Sequence, residues 1–366
     1  MFSLIPFALA LMMGYPVSDS PEPVTILFAG DAMQHTAQIE SAGKSERYDY
    51  RHCFSLVENE IKSADLAVVN LEVPLGGKPY TGYPAFSAPD EYAVALKNAG
   101  FDIFLTANNH CLDRRSSKGL LRTIQVLDSI GVRHAGTYRD RSARHSCYPL
   151  MIKKKGIRFA FLNYTYGTNG IKVVPPAVVN YIDRNTIKED IKRARELDAD
   201  IIVACMHWGE EYKLLPNSEQ KGLADMLVEE GVQLVIGGHP HVIQPMEMKY
   251  DEYGNAKALV VYSLGNFISN MKTRDTVGGA MVKVTVTKEK HKIKLKSAGY
   301  SLIFTVRPGQ GYTDNFVIVP ADKSLNDKLF PNVVSRQLED FVRSARNIFS
   351  KYNKGVSEYN LSLIHI

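Results

Sequence analysis

A chain of 366 residues with 45% hydrophobic and 23% charged side chains has the balance of an ordinary globular protein with a sizeable core, which excludes a largely disordered or low-complexity chain. Its 44 basic and 39 acidic residues leave a net charge of only +5 and are mostly interspersed, so nucleic acid is not an expected partner. The four cysteines, Cys53, Cys111, Cys147 and Cys205, lack the close pairing of a zinc ribbon or a redox CxxC.

Phe2 to Met13 is apolar and is followed by the polar, proline-containing stretch Gly14 to Pro23. This reads as a signal peptide, although no Lys or Arg precedes it, and predicts export to the envelope, the periplasm or the cell surface. The run is too short for a stable membrane-spanning helix. Residues 1–23 are therefore set apart from a main domain over 24–270 and from a region over 271–366 that completes or flanks it.

Beyond the leader, short apolar runs alternate with amphipathic stretches, the pattern of a sheet covered by helices. Strands are predicted at Val24–Phe28, Leu66–Val69, Ile103–Leu105, Phe159–Leu162, Ile201–Ala204, Leu234–Ile236 and Leu259–Tyr262. Cys205, at the end of one apolar run, is expected to be buried, and a disulfide among the other cysteines is left open. Helices are predicted from Pro89-Asp90-Glu91 to about Gly100, from a Ser117 cap to Gly131, and from a Ser218 cap to Gly231. After Asn270 the pattern changes. Val282–Val286 and Lys292–Lys296 alternate like exposed strands of a hairpin or second sheet, and Gln337–Phe349 reads as a last amphipathic helix. Lys153-Lys154-Lys155 and Lys288 to Lys296 read as solvated faces.

The chemistry gathers directly after the strands. The first runs into Gly30-Asp31-Ala32-Met33-Gln34-His35, the second into Asn70-Leu71-Glu72, and the third into Asn108-Asn109-His110. The Ile201 strand runs into His207-Trp208-Gly209-Glu210 and the Leu234 strand into Gly237-Gly238-His239-Pro240-His241. In a mainly parallel sheet these strand ends share one edge, where such folds place their ligands. Carboxylate, amide oxygen and imidazole together suit Mn, Fe or Zn, whereas Ca and Mg favour oxygen almost alone. One or two divalent transition-metal ions are the expected cofactor.

These segments, with Ser263-Leu264-Gly265-Asn266-Phe267 after them, resemble in content and order the CapA-like branch of the calcineurin-like metallophosphoesterases. The resemblance implies an α/β fold of the four-layer α/β/β/α sandwich type and a link to capsule or poly-γ-glutamate production. It implies that Asp31 binds one ion, that Glu72 bridges, that Asn109, His207 and His239 bind a second ion, and that His241 returns to the first. His110 would stand beside the substrate as an acid. The superfamily's opening Asp-x-His is absent, since Met33 lies two residues after Asp31, and His35 is the candidate replacement. A single-ion site therefore stays open beside a two-ion one. The implied activity is metal-assisted hydrolysis of an anionic phosphoester or capsule-polymer substrate, with membrane-bound synthase components as further partners. A non-catalytic capsule assembly factor on the same fold is the alternative.

Overall fold

The computed structural model describes residues 22–43, 47–289, 292–310, 314–321 and 333–361. The expected signal peptide, Phe2 to Met13, lies outside the described residues. Among those that are described, no helix is long and apolar enough to cross a membrane.

Along the chain, β1 (Val24–Ala32), α1 (Thr36–Ala42), α2 (Glu58–Ser63), β2 (Leu66–Leu71), α3 (Asp90–Asn98), β3 (Ile103–Leu105), α4 (Ser117–Ser129) and β4 (Arg133–Ala135) form the first half. Next come β5 (Thr137–Tyr138), α5 (Arg141–Cys147), β6 (Leu150–Lys154), β7 (Ile157–Thr165), β8 (Val178–Val179), α6 (Arg184–Glu196), β9 (Ile201–His207), α7 (Ser218–Glu229) and β10 (Leu234–Gly238). The chain closes with β11 (Ile243–Tyr250), β12 (Ala256–Leu264), β13 (Asn266–Ile268), β14 (Gly278–Glu289), β15 (Lys292–Val306), β16 (Val317–Pro320), α8 (Val333–Tyr352) and β17 (Ser357–Glu358).

Two large sheets carry the molecule. The first has the order β16-β15-β14-β1-β2-β3-β4, with β13 beside β1 and β17 beside β15; the second has the order β11-β12-β10-β9-β7-β6. Ile26 and Phe28 of β1, Val68 of β2, Phe159 and Phe161 of β7 and Val203 of β9 meet in one apolar cluster between the sheets. Full burial of each such side chain contributes about 1.5–3 kcal/mol, so this layer is the main stabilising element. On the outer face of the first sheet, Leu27, Val69 and Phe104 pack with Ile61 of α2 and Tyr92 and Leu96 of α3. On the outer face of the second, Leu162, Ile202 and Val235 pack with Ile187 and Ile191 of α6 and Leu223 and Leu227 of α7. The result is the expected four-layer α/β/β/α arrangement. Both faces of the central strands are buried, which is why they read as unbroken apolar runs in the sequence.

Three local expectations are corrected. Ser117 does not cap α4; its hydroxyl instead accepts a bond from the Val174 N–H at 2.7 Å. Asn217, not Ser218, caps α7: its side chain accepts from the Gln220 N–H at 2.9 Å, while Gln220 Oε1 accepts from the Asn217 N–H at 3.0 Å. The stretch Val282–Val286 is not an exposed strand, because β14 pairs with β1 inside the first sheet and Val282, Val284 and Val286 point into the inter-sheet core. Its alternation with polar residues marks one buried face, not a separate layer. All four cysteines are free, with Cys53, Cys111 and Cys205 buried and Cys147 exposed.

Candidate metal centre

Strand alternation determines which residues reach the centre. In β2, Leu66 and Val68 face the inter-sheet core while Ala67, Val69 and Leu71 face the helices, so Asn70 and Glu72 continue the inner face. In β9 the same rule carries Ile201, Val203 and Cys205 on to His207. Asp31 has the wrong parity for this, and a bulge corrects it. Ala29 pairs with Val69 and Asp31 with Asn70, leaving Gly30 as an extra residue that shifts Asp31 to the inner face and Ala32 to the outer one. Only glycine fits there, since a Cβ at position 30 would lie 1.9 Å from the Gly265 carbonyl oxygen.

Around these positions the structure gathers Asp31, Glu72, Asn109, His207, His239 and His241, all buried. Asp31 accepts from Asn70 Nδ2 at 2.8 Å and from the His239 N–H at 3.1 Å, and lies 3.5 Å from His241 Nδ1. His207 Nε2 is 2.7 Å from Asn109 Oδ1 and 3.5 Å from Glu72 Oε1, and His241 Nε2 is 3.8 Å from that same oxygen. Asn266 orients His241. Its Nδ2 donates to the Thr276 carbonyl at 2.9 Å, which turns Oδ1 toward His241 Nδ1 at 3.0 Å and leaves Nε2 with its lone pair toward Glu72. The backbone at His239 and His241 is left-handed, with φ of 98° and 58°. Such geometry is uncommon away from glycine and clusters at functional turns.

Three groups of carboxylate and imidazole atoms each lie within 4.8 Å of one another: Glu72, His207 and His239; Asp31, Glu72 and His241; and Glu211, His239 and His241. Glu72 Oε1 and His239 Nδ1 are buried and make no hydrogen bond. Buried polar atoms are normally satisfied, so two unpartnered atoms on residues of one carboxylate and imidazole cluster fit a divalent cation. The electrostatics agree. Burial, followed by the charge of Asp31, holds the Glu72 carboxyl well above its usual range. Burial, followed by the charges of neighbouring imidazoles, pushes His207 well down and His239 down to about 3. For Asp31 burial acts upward, but His241 and the other donors prevail and hold it below the ordinary value.

Beside the centre opens a cleft of about 570 Å³ whose walls include His35, Tyr83, His110, Glu211 and Tyr212. His110 Nδ1 is 2.6 Å from Asp113 Oδ2, and the ring stands edge-on to Phe86 at 4.7 Å between centroids. His35 lies in the cleft wall and outside the three groups. It caps α1, its Nδ1 accepts from the Asn270 N–H at 3.2 Å, and burial pushes it down to about 4.

Sequence reasoning missed Asp113 and Glu211 as parts of this site, and it placed Asn70 and Asn266 in the motif segments without giving either a role. The spacing His110-x-x-Asp113 and the period-two step from Asn70 to Glu72 were available signals, whereas nothing local distinguishes Glu211 from Glu210. Glu210 Oε1 accepts from Asn217 Nδ2 at 3.4 Å, and its neighbour Glu211 reaches the histidines.

A family model described as bacterial capsule synthesis protein PGA_cap matches residues 25–271. The chain belongs to that family. Among similar proteins, the capsule biosynthesis protein CapA of Bacillus anthracis is 28% identical over 278 residues, covering 72% of this chain and 64% of that protein. The PGA biosynthesis protein CapA of Bacillus subtilis (strain 168) is 27% identical over 281 residues, covering 74% and 69%. This PGA_cap chain thus matches about two thirds of the length of each relative. Similar solved structures include the NAD nucleotidase NadN of Haemophilus influenzae, with a TM-score of 0.47 and 12% identity over 93% of this chain and 65% of that one. Another is the calcineurin-like phosphoesterase YfkN of Bacillus subtilis, with a TM-score of 0.46 and 13% identity over 90% and 98%.

Proposed function

We propose that this chain is an exported, metal-dependent phosphoester hydrolase that serves capsule assembly. The observation that carries the reading is the buried pair of orphaned ligand atoms, Glu72 Oε1 and His239 Nδ1, inside a carboxylate and imidazole cluster that opens to a cleft. Asp31, Glu72 and His241 would hold one ion; Asn109, His207 and His239, with Glu72 shared, would hold a second. Bound there, divalent ions of the Mn, Fe or Zn type supply positive charge that activates water and offsets the charge developing on a phosphoryl group. The substrate class is an anionic phosphoester or a phosphorylated capsule precursor. The export half of the reading rests on the apolar run Phe2 to Met13 and on the capsule-synthesis family.

His110 is the proposed acid. At 2.6 Å the Asp113 carboxylate accepts a hydrogen bond from the Nδ1–H of His110 and fixes the ring, leaving Nε2 free to deliver a proton to the departing oxygen. A positioned acid of this kind contributes about 10²–10⁴-fold, and the gain matters most for a poor leaving group. His110→Ala should therefore lose far more activity on an alkyl phosphoester than on a nitrophenyl one, while keeping its metal. An equal loss on both esters together with a lowered melting temperature would make His110 a structural residue.

The test of the whole reading is metal content measured alongside turnover of an aryl phosphate. At least one transition-metal ion per chain with turnover is expected. A stoichiometric ion with no turnover on a wide panel of mono- and diesters would instead support an assembly factor, the reading that the Met33 departure from Asp-x-His favours.

A further inference from the structure

We propose that Glu211 is a further metal ligand, closing the centre on its cleft side around a divalent cation of the Mn, Fe or Zn class; this rests on the metal-centre reading above. Its carboxylate and the ring nitrogens of His239 and His241 lie within 4.8 Å of one another. Bonds to such ions are about 2.0–2.2 Å, so a small rotation of an exposed glutamate brings its oxygen into range while the two buried imidazoles stay in place. His239 Nδ1, on a side chain only 3% exposed, has no hydrogen-bond partner and is available to an ion.

The loop that carries Glu211 is laced to the histidine turn. The Trp208 N–H donates to the Gly238 carbonyl at 3.1 Å, and the Tyr212 N–H donates to the Pro240 carbonyl at 2.8 Å. Gly209 has φ of 90° and packs so closely on Gln220 that a Cβ would meet that side chain at 2.6 Å. Tyr212 is left-handed at φ 66°, as are His239 and His241 in the facing turn. Three left-handed residues other than glycine in two bonded turns mark an arrangement kept for its product, which is a carboxylate held over two imidazoles. Glu211 is exposed whereas Asp31, Glu72, Asn109, His207, His239 and His241 are buried. It is thus the ligand that an incoming anionic group can displace without disturbing the core.

The experiment is calorimetric titration of Mn²⁺ into the full chain after metal removal, for wild type, Glu211→Gln and Glu210→Gln. Loss of even an outer-shell partner weakens metal binding by about 10–100-fold, so Glu211→Gln should lose at least about 10-fold in affinity. Glu210→Gln removes the same charge one residue away, faces Asn217, and should match wild type. Because Glu211 is exposed, the metal-free melting temperature should not move. Wild-type affinity in Glu211→Gln overturns the assignment, and so does an equal loss in both variants, which would reflect only the charge of the loop. A wild-type chain that binds no ion at all overturns the metal-centre reading itself, and this assignment with it.

Discussion

Two carboxylates bracket β2, and they are treated in opposite ways. Asp65, just before the strand, accepts from the Thr25 N–H at 2.9 Å and the Thr25 hydroxyl at 3.2 Å, and pairs with Lys155 Nζ at 2.9 Å. Glu72, just after it, is fully buried and has one oxygen that makes no hydrogen bond and the other 3.4 Å from Asn70 Nδ2. The acidities follow. Burial acts upward on both, but at Asp65 the Lys155 ion pair and the Thr25 bonds prevail and lower it, whereas at Glu72 the nearby charge of Asp31 adds to burial and raises it. A carboxylate that ties the sheet together is given donors, while one at the centre is denied them. The starved group costs free energy in the metal-free fold, and an arriving cation removes that cost.

The sharpest way to break this comparison is to neutralise the starved member. Glu72→Gln should lower ion affinity by at least about 100-fold, because a ligand common to two groups is lost. The metal-free variant should melt at or above the wild-type temperature, since a buried carboxyl that is costly to ionise there is replaced by an amide of the same shape that cannot ionise. Calorimetry and a thermal melt of the metal-free chain measure both. A variant that melts well below wild type yet binds the ion normally would make Glu72 a structural residue, and the contrast with Asp65 would vanish.

How much of this was legible in the sequence depends on which rule positions each residue. His207 and Glu72 follow from strand runs whose period-two alternation holds to the last residue, so apolar patterning alone aims them inward. Asp31 does not follow, because its side is set by the extra residue Gly30 and by a close approach to Gly265, 235 positions away. Asp113 and Glu211 enter through loops, where no periodicity applies and long-range backbone bonds decide direction. The hairpin of β14 and β15 was legible from its alternation, but its place beside β1 was not, because that depends on pairing that no local pattern encodes. A second prediction draws on the bulge. Gly30→Ala puts a methyl group 1.9 Å from a carbonyl oxygen and should cost about 1–3 kcal/mol through forced backbone displacement. It should also weaken ion binding, since Asp31 loses its aim, which links a single methyl to both readouts. Normal ion affinity in a destabilised Gly30→Ala chain would show that the bulge serves packing alone.

The smallest effect is expected at the satisfied member of the pair. Asp65→Asn keeps the shape of the side chain but removes its charge, weakening the bonds from Thr25 and the ion pair with Lys155. The Lys155 partner is partly open to solvent, which screens that share, so the loss at neutral pH should be about 1 kcal/mol. The sign of the pH dependence follows from the lowered acidity constant. Because the folded value lies below the ordinary value of 3.8, the stabilisation is present above that value and is lost as pH falls through the folded one. Denaturation curves of wild type and Asp65→Asn should therefore be separated at neutral pH and converge under acid conditions. Ion affinity should not change in Asp65→Asn, because none of the bonds it loses reaches the centre. If this substitution disturbed ion binding as much as Glu72→Gln does, the two ends of β2 would be one coupled unit and the division between holding and serving carboxylates would fail.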